Sequence, residues 1–332
     1  MILKRMLRFL AAATAAVAWP AAAPAEVEFQ RVADRCHFAS LGEGKPNMGA
    51  VVTGEGVLLI DPPGEEDLPA VLEALRNVSS SPVRWIVYTS FRRLQSSRYA
   101  YFLEHGAVLV GSKALDGLAF PGNDSPAGGG RPEGAQKTEE RQSAGTSRPQ
   151  RFVFESRLRL FPDSVEVRIM AVRARAVTAG DVVVCVPDEK VLYTGDLFAP
   201  GAFPEIDTRG GGGDVLGWSE GMKQAMAAVP MLKPAMARTQ PELPPVPPEL
   251  EKSPEENVVV IPGRGPLSNL KQMKELLEAA QKLRAQAARA AALKRSLQNF
   301  LASSGLDEFR NLANFEAFAG LMLEALAGAN KQ

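Results

Sequence analysis

Short apolar runs alternate with helically spaced apolar positions through the first half of the chain. Beta-branched residues flank the turn Gly54–Gly56 and predict a hairpin of strands Gly49–Thr53 and Val57–Asp61. Apolar residues three and four positions apart then predict a helix over Asp67–Val78, and a buried strand follows over Val83–Tyr88. Alternating strands and helices of this kind are typical of an α/β domain.

The same pattern continues toward the C-terminus. A helix is expected over Ser97–His105 and another over Val215–Met231, and Ser268 is expected to cap a long amphipathic helix that extends to Ala292. One or two more helices are expected within Leu306–Leu326. The remaining expected strands are Ala107–Val110, Arg151–Phe154, Leu158–Phe161, Val165–Val172, Val182–Val186, Val191–Tyr193 and Val258–Ile261.

Three segments contain few apolar side chains that a core could bury. Residues 121–150 are polar and glycine-rich and are expected to form a flexible surface insertion, and residues 241–254 form a proline-rich loop. The four glycines Gly210–Gly213 are expected to be a linker, because they lack the strand-to-helix context of a phosphate loop. Residues 26–293 are therefore assigned to one domain, and residues 294–332 to a helical extension packed on it.

The first 25 residues have the features of a cleaved Sec-type signal peptide. Basic residues precede an apolar run, Phe9–Trp19, and small residues follow at Ala23–Ala25. We expect a periplasmic or secreted protein with no stable membrane span after cleavage. Export permits a disulfide between Cys36 and Cys185, but their spacing in sequence says nothing about their distance in space, and two buried free thiols are expected.

Composition narrows the possible chemistry. Hydrophobic residues make up 45% of the chain and charged residues 23%, which excludes wholesale disorder. Lysine plus arginine and aspartate plus glutamate both number 38, so a broad electrostatic case for nucleic-acid binding is absent. The only two histidines are His37 and His105, too few for a pair of histidine-built zinc sites.

Six segments, in this order, resemble the landmarks of the metallo-β-lactamase fold superfamily. The run Thr194–Phe198 and the Pro-Gly-x-Gly-Pro run Pro262–Pro266 are the most characteristic. The resemblance implies an αββα sandwich, here with additional C-terminal helices, whose loops hold one or two metal ions, usually zinc. The six segments are Asn47–Val52, Leu58–Asp61, Val87–Thr89, Gly180–Val184, Val191–Phe198 and Val260–Pro266.

Matched to the superfamily's pattern, this chain has lost most of the metal ligands. Only Asp196 keeps a ligand-type side chain, and Leu94 replaces the aspartate expected to orient the attacking water. The positions of the five ligand histidines hold Ser90, Arg92, Gln95, Val177 and Arg264. Because arginine cannot be deprotonated to become a ligand, the resemblance implies neither a bound zinc cofactor nor the superfamily's hydrolytic mechanism.

A buried carboxylate without a metal needs another cation or a proton. We therefore expect an Arg92–Asp196–Arg264 cluster in place of the metals. With Arg93, Arg173 and Arg175 expected nearby, the cleft is predicted to attract a small anion.

Three functional hypotheses follow. The first is a pseudoenzyme, a non-catalytic binding or scaffold protein outside the cytoplasm whose partner is a small anion or an envelope protein. The second is a hydrolase that uses an unrecognised site or a single metal ion at Asp196. The third is an interaction module centred on the C-terminal helices after about Leu267.

Overall fold

The structure is a computed structural model that describes residues 27–42, 44–94, 96–114, 151–228 and 257–329. Its strands are β1 Gln30–Arg31, β2 Cys36–Ser40, β3 Asn47–Thr53, β4 Gly56–Ile60, β5 Val83–Val87, β6 Val108–Ser112, β7 Arg151–Phe154, β8 Arg157–Leu160, β9 Val167–Ala171, β10 Val182–Val186, β11 Val191–Gly195 and β12 Val259–Pro262. The described strands form one sheet of seven, in the order β1 to β7, and one of five, in the order β12-β11-β10-β9-β8.

The helices lie on the outer faces of the two sheets. They are α1 Leu68–Val78, α2 Ser96–Glu104, α3 Val215–Ala227, α4 Leu270–Ala292, α5 Leu297–Leu301 and α6 Phe315–Ala329. Helices α1 and α2 pack on the first sheet, and α3, α4 and α6 pack on the second. A third apolar cluster fills the space between the sheets. The four layers confirm the predicted αββα sandwich.

Strand direction determines where a site can form. The hairpin of β3 and β4 is antiparallel as expected, whereas β4, β5 and β6 run parallel, and so do β11 and β12. The segments that follow β4, β5, β11 and β12 therefore lie at one common edge of the sandwich. A backbone hydrogen bond of 2.8 Å from Asn47 N to Gly263 O joins the two sheets there.

The C-terminal helices are integral to the core of the second sheet. The ring of Phe318 on α6 stacks on Phe203 with centroids 4.5 Å apart and meets Trp218 of α3 edge-on. All three side chains are almost completely buried. The part of the chain after α4 thus packs on the sandwich rather than extending from it.

Two local expectations require correction. Helix α4 is capped by Asn269, whose Oδ1 accepts from Gln272 N at 3.0 Å, and not by Ser268, whose hydroxyl contacts the Gln272 side chain instead. The glycine run is packed rather than a linker, because Gly213 N donates to Asp207 O at 2.6 Å. A Cβ on Gly213 would lie 2.1 Å from Val177 O and one on Gly211 would lie 2.8 Å from Thr178 Cγ2, so close packing requires glycine at these two positions.

Both cysteines are free and buried. Cys36 contributes to the apolar layer between the sheets, whereas Cys185 packs among the side chains beneath the helices of the second sheet. Burial raises the pKa of the Cys36 thiol well above its ordinary value and that of Cys185 to about 12. Neither thiol is therefore a reactive thiolate in this fold.

Several expectations lie outside the described residues. They concern the signal peptide at 1–25, the insertion at 121–150, the proline-rich loop at 241–254 and the side chain of Gln95. Over the ranges that the structure describes, every helix is too short or too polar to cross a membrane.

Candidate functional site

The turn after β4 holds a buried carboxylate. Asp61 adopts a positive φ of 54°, which aspartate tolerates better than most residues. Its Oδ1 accepts from Thr89 N at 2.8 Å and its Oδ2 accepts from the Thr89 hydroxyl at 2.6 Å. Thr89 follows β5, so these bonds lock together the ends of two neighbouring parallel strands.

The turn after β11 places a second carboxylate close by. Gly195 has a φ of 54°, and a Cβ there would lie 1.7 Å from Thr89 Oγ1, so only glycine fits. Its carbonyl accepts from Gly263 N at 2.8 Å, which ties this turn to the one after β12. Asp196, next in sequence, is thereby held at the meeting point of both sheets, with its side chain only 9% exposed.

A short 3₁₀ turn, Phe91–Arg93, follows β5 and supplies the cation. It begins after Ser90, whose carbonyl accepts from Arg93 N at 3.1 Å. The Phe91 ring packs so closely on Gly180 that a Cβ there would lie about 2.0 Å from it. This packing fixes the turn and directs the Arg93 side chain into the interior, where it is 5% exposed.

The Arg93 guanidinium bridges the two carboxylates. Its Nη2 contacts Asp196 Oδ1 directly, and its Nη1 lies 3.4 Å from Asp61 Oδ2. Nη1 also donates to Asn47 O at 3.0 Å and Nη2 to Gly263 O at 2.9 Å. One planar side chain therefore joins four segments from both sheets, using the fork of donors that distinguishes arginine from lysine.

Charge pairing decides the protonation of this cluster. Burial alone raises the pKa of Asp196, but Arg93, with contributions from Arg92 and Arg264, lowers that pKa below its ordinary value. Burial raises the pKa of Asp61, and Arg93 and Thr89 oppose that rise. Although burial opposes the charge on Arg93, the two carboxylates raise its pKa, so the guanidinium stays charged.

The predicted Arg92–Asp196–Arg264 cluster requires correction, because Arg93 makes the direct contact with Asp196. Arg92 instead pairs with Glu205, with Nη2 2.5 Å from Oε2 and Nη1 2.9 Å from the Glu205 carbonyl. Arg264 is exposed, and like Arg92 it acts on Asp196 through its electrostatic field.

The other predicted site residues are dispersed. Ser90 is buried at this edge, and its hydroxyl has no hydrogen-bond partner among the described residues. Val177 is fully buried in the apolar core beneath the helices of the second sheet rather than facing a cleft. His37 is buried on β2, and His105 stacks on Tyr101 with Nδ1 2.7 Å from the Tyr101 carbonyl.

Two buried acids, Asp61 and Asp181, were not among the predicted site residues. The sequence offered a signal for both, because each aspartate adjoins an uninterrupted apolar strand, a position that favours burial. Asp181 Oδ2 accepts from Thr178 N at 2.9 Å, and Oδ1 contacts the Thr178 hydroxyl. Burial raises the pKa of Asp181 to about 7, partly opposed by these two bonds.

Comparison with known proteins identifies the fold. No family model matches the chain, and no curated protein sequence matches it. Solved structures do: the DIM-1 metallo-β-lactamase (TM-score 0.51, 13% identity, covering 77% of this chain and 97% of that one) and a metallo-β-lactamase from Pontibacter korlensis (0.52, 17%, 77% and 99%). A double mutant of the sec-alkyl sulfatase PisA1 matches with a TM-score of 0.59 and 15% identity, over 91% of this chain and 50% of that one. The chain therefore has the metallo-β-lactamase fold.

The residues at the site do not fit the zinc that this fold implies. Catalytic zinc takes three imidazole, carboxylate or thiolate ligands and leaves one position open. Within the described residues, no group of three or more His, Cys, Asp or Glu side chains is placed to hold a metal ion. The carboxylates of Asp61 and Asp196 are both engaged by Arg93.

Proposed function

We propose that this protein is a pseudoenzyme of the metallo-β-lactamase fold, a non-catalytic binding or scaffold protein that acts outside the cytoplasm. The observation that carries the proposal is the bridging position of Arg93 between Asp61 and Asp196. A divalent ion at Asp196 would have to displace a buried guanidinium that also donates to two backbone carbonyls. Unless Arg93 moved, the divalent ion would lie beside the positive charge of the guanidinium and be repelled by it.

The chemistry of the site supports the same proposal. Metal-bound water is the nucleophile in hydrolysis of this type because the ion lowers the pKa of that water. Arginine stays protonated and cannot take the proton of a water molecule. Ser90 lacks an adjacent base among its described contacts, since its hydroxyl has no partner there. The cluster is thus suited to holding the two sheets together.

Binding of a small anion in this cleft, predicted from Arg92 and Arg264, remains a prediction. Arg92 already pairs with the carboxylate of Glu205, which an incoming anion would need to replace. Export likewise remains a prediction, since it depends on residues 1–25.

Elemental analysis of the mature protein after incubation with zinc and dialysis tests the proposal. We expect far less than one ion per chain, and no zinc-dependent hydrolysis of a chromogenic β-lactam or of an alkyl sulfate ester. About one ion per chain that is lost in Asp196→Asn, together with turnover, would establish the alternative of a hydrolase with a single metal. Asp188→Asn, which changes an exposed aspartate in the turn after β10, is the matched control.

A further inference from the structure

A hollow of about 270 Å³ lies on the outer face of the second sheet, away from the Arg93 cluster. It lies between the last turn of α3 and strands β8 and β9, of which β8 is the edge strand of that sheet. Met170 and Val172 of the β9 region and Ala225 of α3 form its apolar floor. Arg157, Arg173 and Gln224 line it on the polar side.

The two arginines of this hollow differ from Arg92 and Arg93, which pair with carboxylates of the chain. Arg157 and Arg173 are both exposed, and neither side chain has an ion-pair partner within the described ranges, although Arg173 N donates to Gln224 Oε1 at 2.8 Å. Among the described residues that line it, none is an aspartate or glutamate. An adjoining hollow of about 210 Å³ shares Arg157 and Met170 with this one, and its other two arginines, Arg159 and Arg168, pair with Glu166 at 2.5 and 2.8 Å.

An apolar floor beneath two unpaired guanidinium groups selects for one ligand chemistry. The guanidinium groups favour a carboxylate, sulfate or phosphate, because charge-assisted hydrogen bonds to such groups are the strongest that arginine makes. The floor favours an apolar chain attached to that group, since burying it removes apolar area from water. The volume is close to the lower limit for small-molecule sites, which suits a short chain.

We propose that this hollow binds a small amphiphilic anion, an acid with a short apolar chain, with the acid between Arg157 and Arg173 and the chain over Met170. The inference deepens the proposed binding function, on which it rests, by placing the ligand on the sheet face instead of in the former metal cleft. There, Arg93 and Arg92 are already paired with carboxylates of the chain itself.

The test uses the full mature chain and isothermal titration calorimetry with octanoate as the probe. We expect saturable binding of octanoate at one site and weaker binding of octylammonium, which has the same chain and the opposite charge. The double variant R157A/R173A should bind octanoate at least about tenfold more weakly. R76A/R284A removes two exposed arginines of α1 and α4 and should bind as the wild type does.

A second variant tests the hollow without changing charge. Ala227 is exposed and lines the hollow, so Ala227→Trp should fill it and abolish octanoate binding while the core remains intact. Far-ultraviolet circular dichroism checks that each variant is folded.

Three results would overturn the inference: no saturable octanoate binding by the wild type, equal binding of octylammonium, or unchanged binding by R157A/R173A. Loss of octanoate binding in Arg264→Ala would place the ligand in the cleft and would also overturn it. The proposed function fails separately, through zinc retention and hydrolysis, which these titrations do not measure.

Discussion

Asp196 and Asp181 are both buried, yet their surroundings have opposite effects on their ionisation. The Asp196 carboxylate contacts a guanidinium, and its pKa is lowered. The Asp181 carboxylate accepts hydrogen bonds from the backbone and hydroxyl of Thr178, which carry no charge, and burial raises its pKa to about 7. Neutral donors only reduce the rise in pKa that burial causes, whereas a paired cation can turn that rise into a fall.

The comparison shows what Arg93 does for the fold. The site edge holds Asp61 and Asp196 within reach of one cation, and Asp181 is close enough for the charge on Asp196 to raise its pKa further. Burial raises the pKa of Asp61 as well, but Arg93 faces Asp61, whereas Asp181 has only neutral donors and carries a proton below about pH 7. Replacing Arg93 tests the pairing of charges at the site edge, and replacing Asp181 tests the protonation of a buried acid.

Removal of the cation is expected to have the largest effect. Arg93→Ala leaves Asp61 and Asp196 buried without a counter-charge, so the free energy of unfolding should fall by about 3–5 kcal/mol. Urea unfolding followed by circular dichroism measures it. Arg92→Ala, which breaks the partly exposed pair with Glu205, is the control and should cost at most about 1 kcal/mol. Equal losses in the two variants would contradict a structural role for Arg93.

The protonated acid should affect how stability depends on pH. The pKa of Asp181 is about 7 in the folded protein against 3.8 for the ordinary group. The stability that the protonated acid contributes is therefore complete below about pH 4 and is lost as the pH rises through 7. Asp181→Asn keeps an acceptor and a donor for Thr178 but cannot ionise. Across that window, the stability of the wild type relative to this variant should fall by up to about 4 kcal/mol.

Urea unfolding at a series of pH values measures this difference, and the exposed Asp188→Asn variant is its control. Parallel profiles for the wild type and Asp181→Asn would show that Asp181 is ionised throughout. The distinction between the two buried acids would then be wrong.

The sequence predicted most of the fold because its signals are local. Beta-branched runs around the turn Gly54–Gly56 specify the hairpin of β3 and β4, and the order of the landmarks predicted the sandwich that the structure shows. The errors occurred where neighbouring residues compete for one role. Ser268 and Asn269 are both good helix caps, and only the backbone geometry of α4 selects Asn269.

The site was predicted less well for a geometric reason. Arg92 and Arg93 are adjacent and chemically identical, but successive residues of a 3₁₀ turn, with three residues per turn, point about 120° apart. One arginine therefore reaches Glu205 at the surface and the other reaches Asp196 in the interior. Alignment to ligand positions selected Arg92, whereas the direction of the side chain favours Arg93.

The glycine run beside Thr178 offers the smallest and most local test of the surroundings of Asp181. A Cβ on Gly213 would lie 2.1 Å from the Val177 carbonyl, so Gly213→Ala should push that backbone aside and destabilise the protein by about 1–3 kcal/mol. Gly210→Ala is the matched control, because its Cβ would approach nothing nearer than 3.8 Å. Thermal unfolding of both variants measures the difference. If the two variants unfold together, the run does not support the loop that holds Asp181, and the burial that raises the pKa of this acid does not depend on the run.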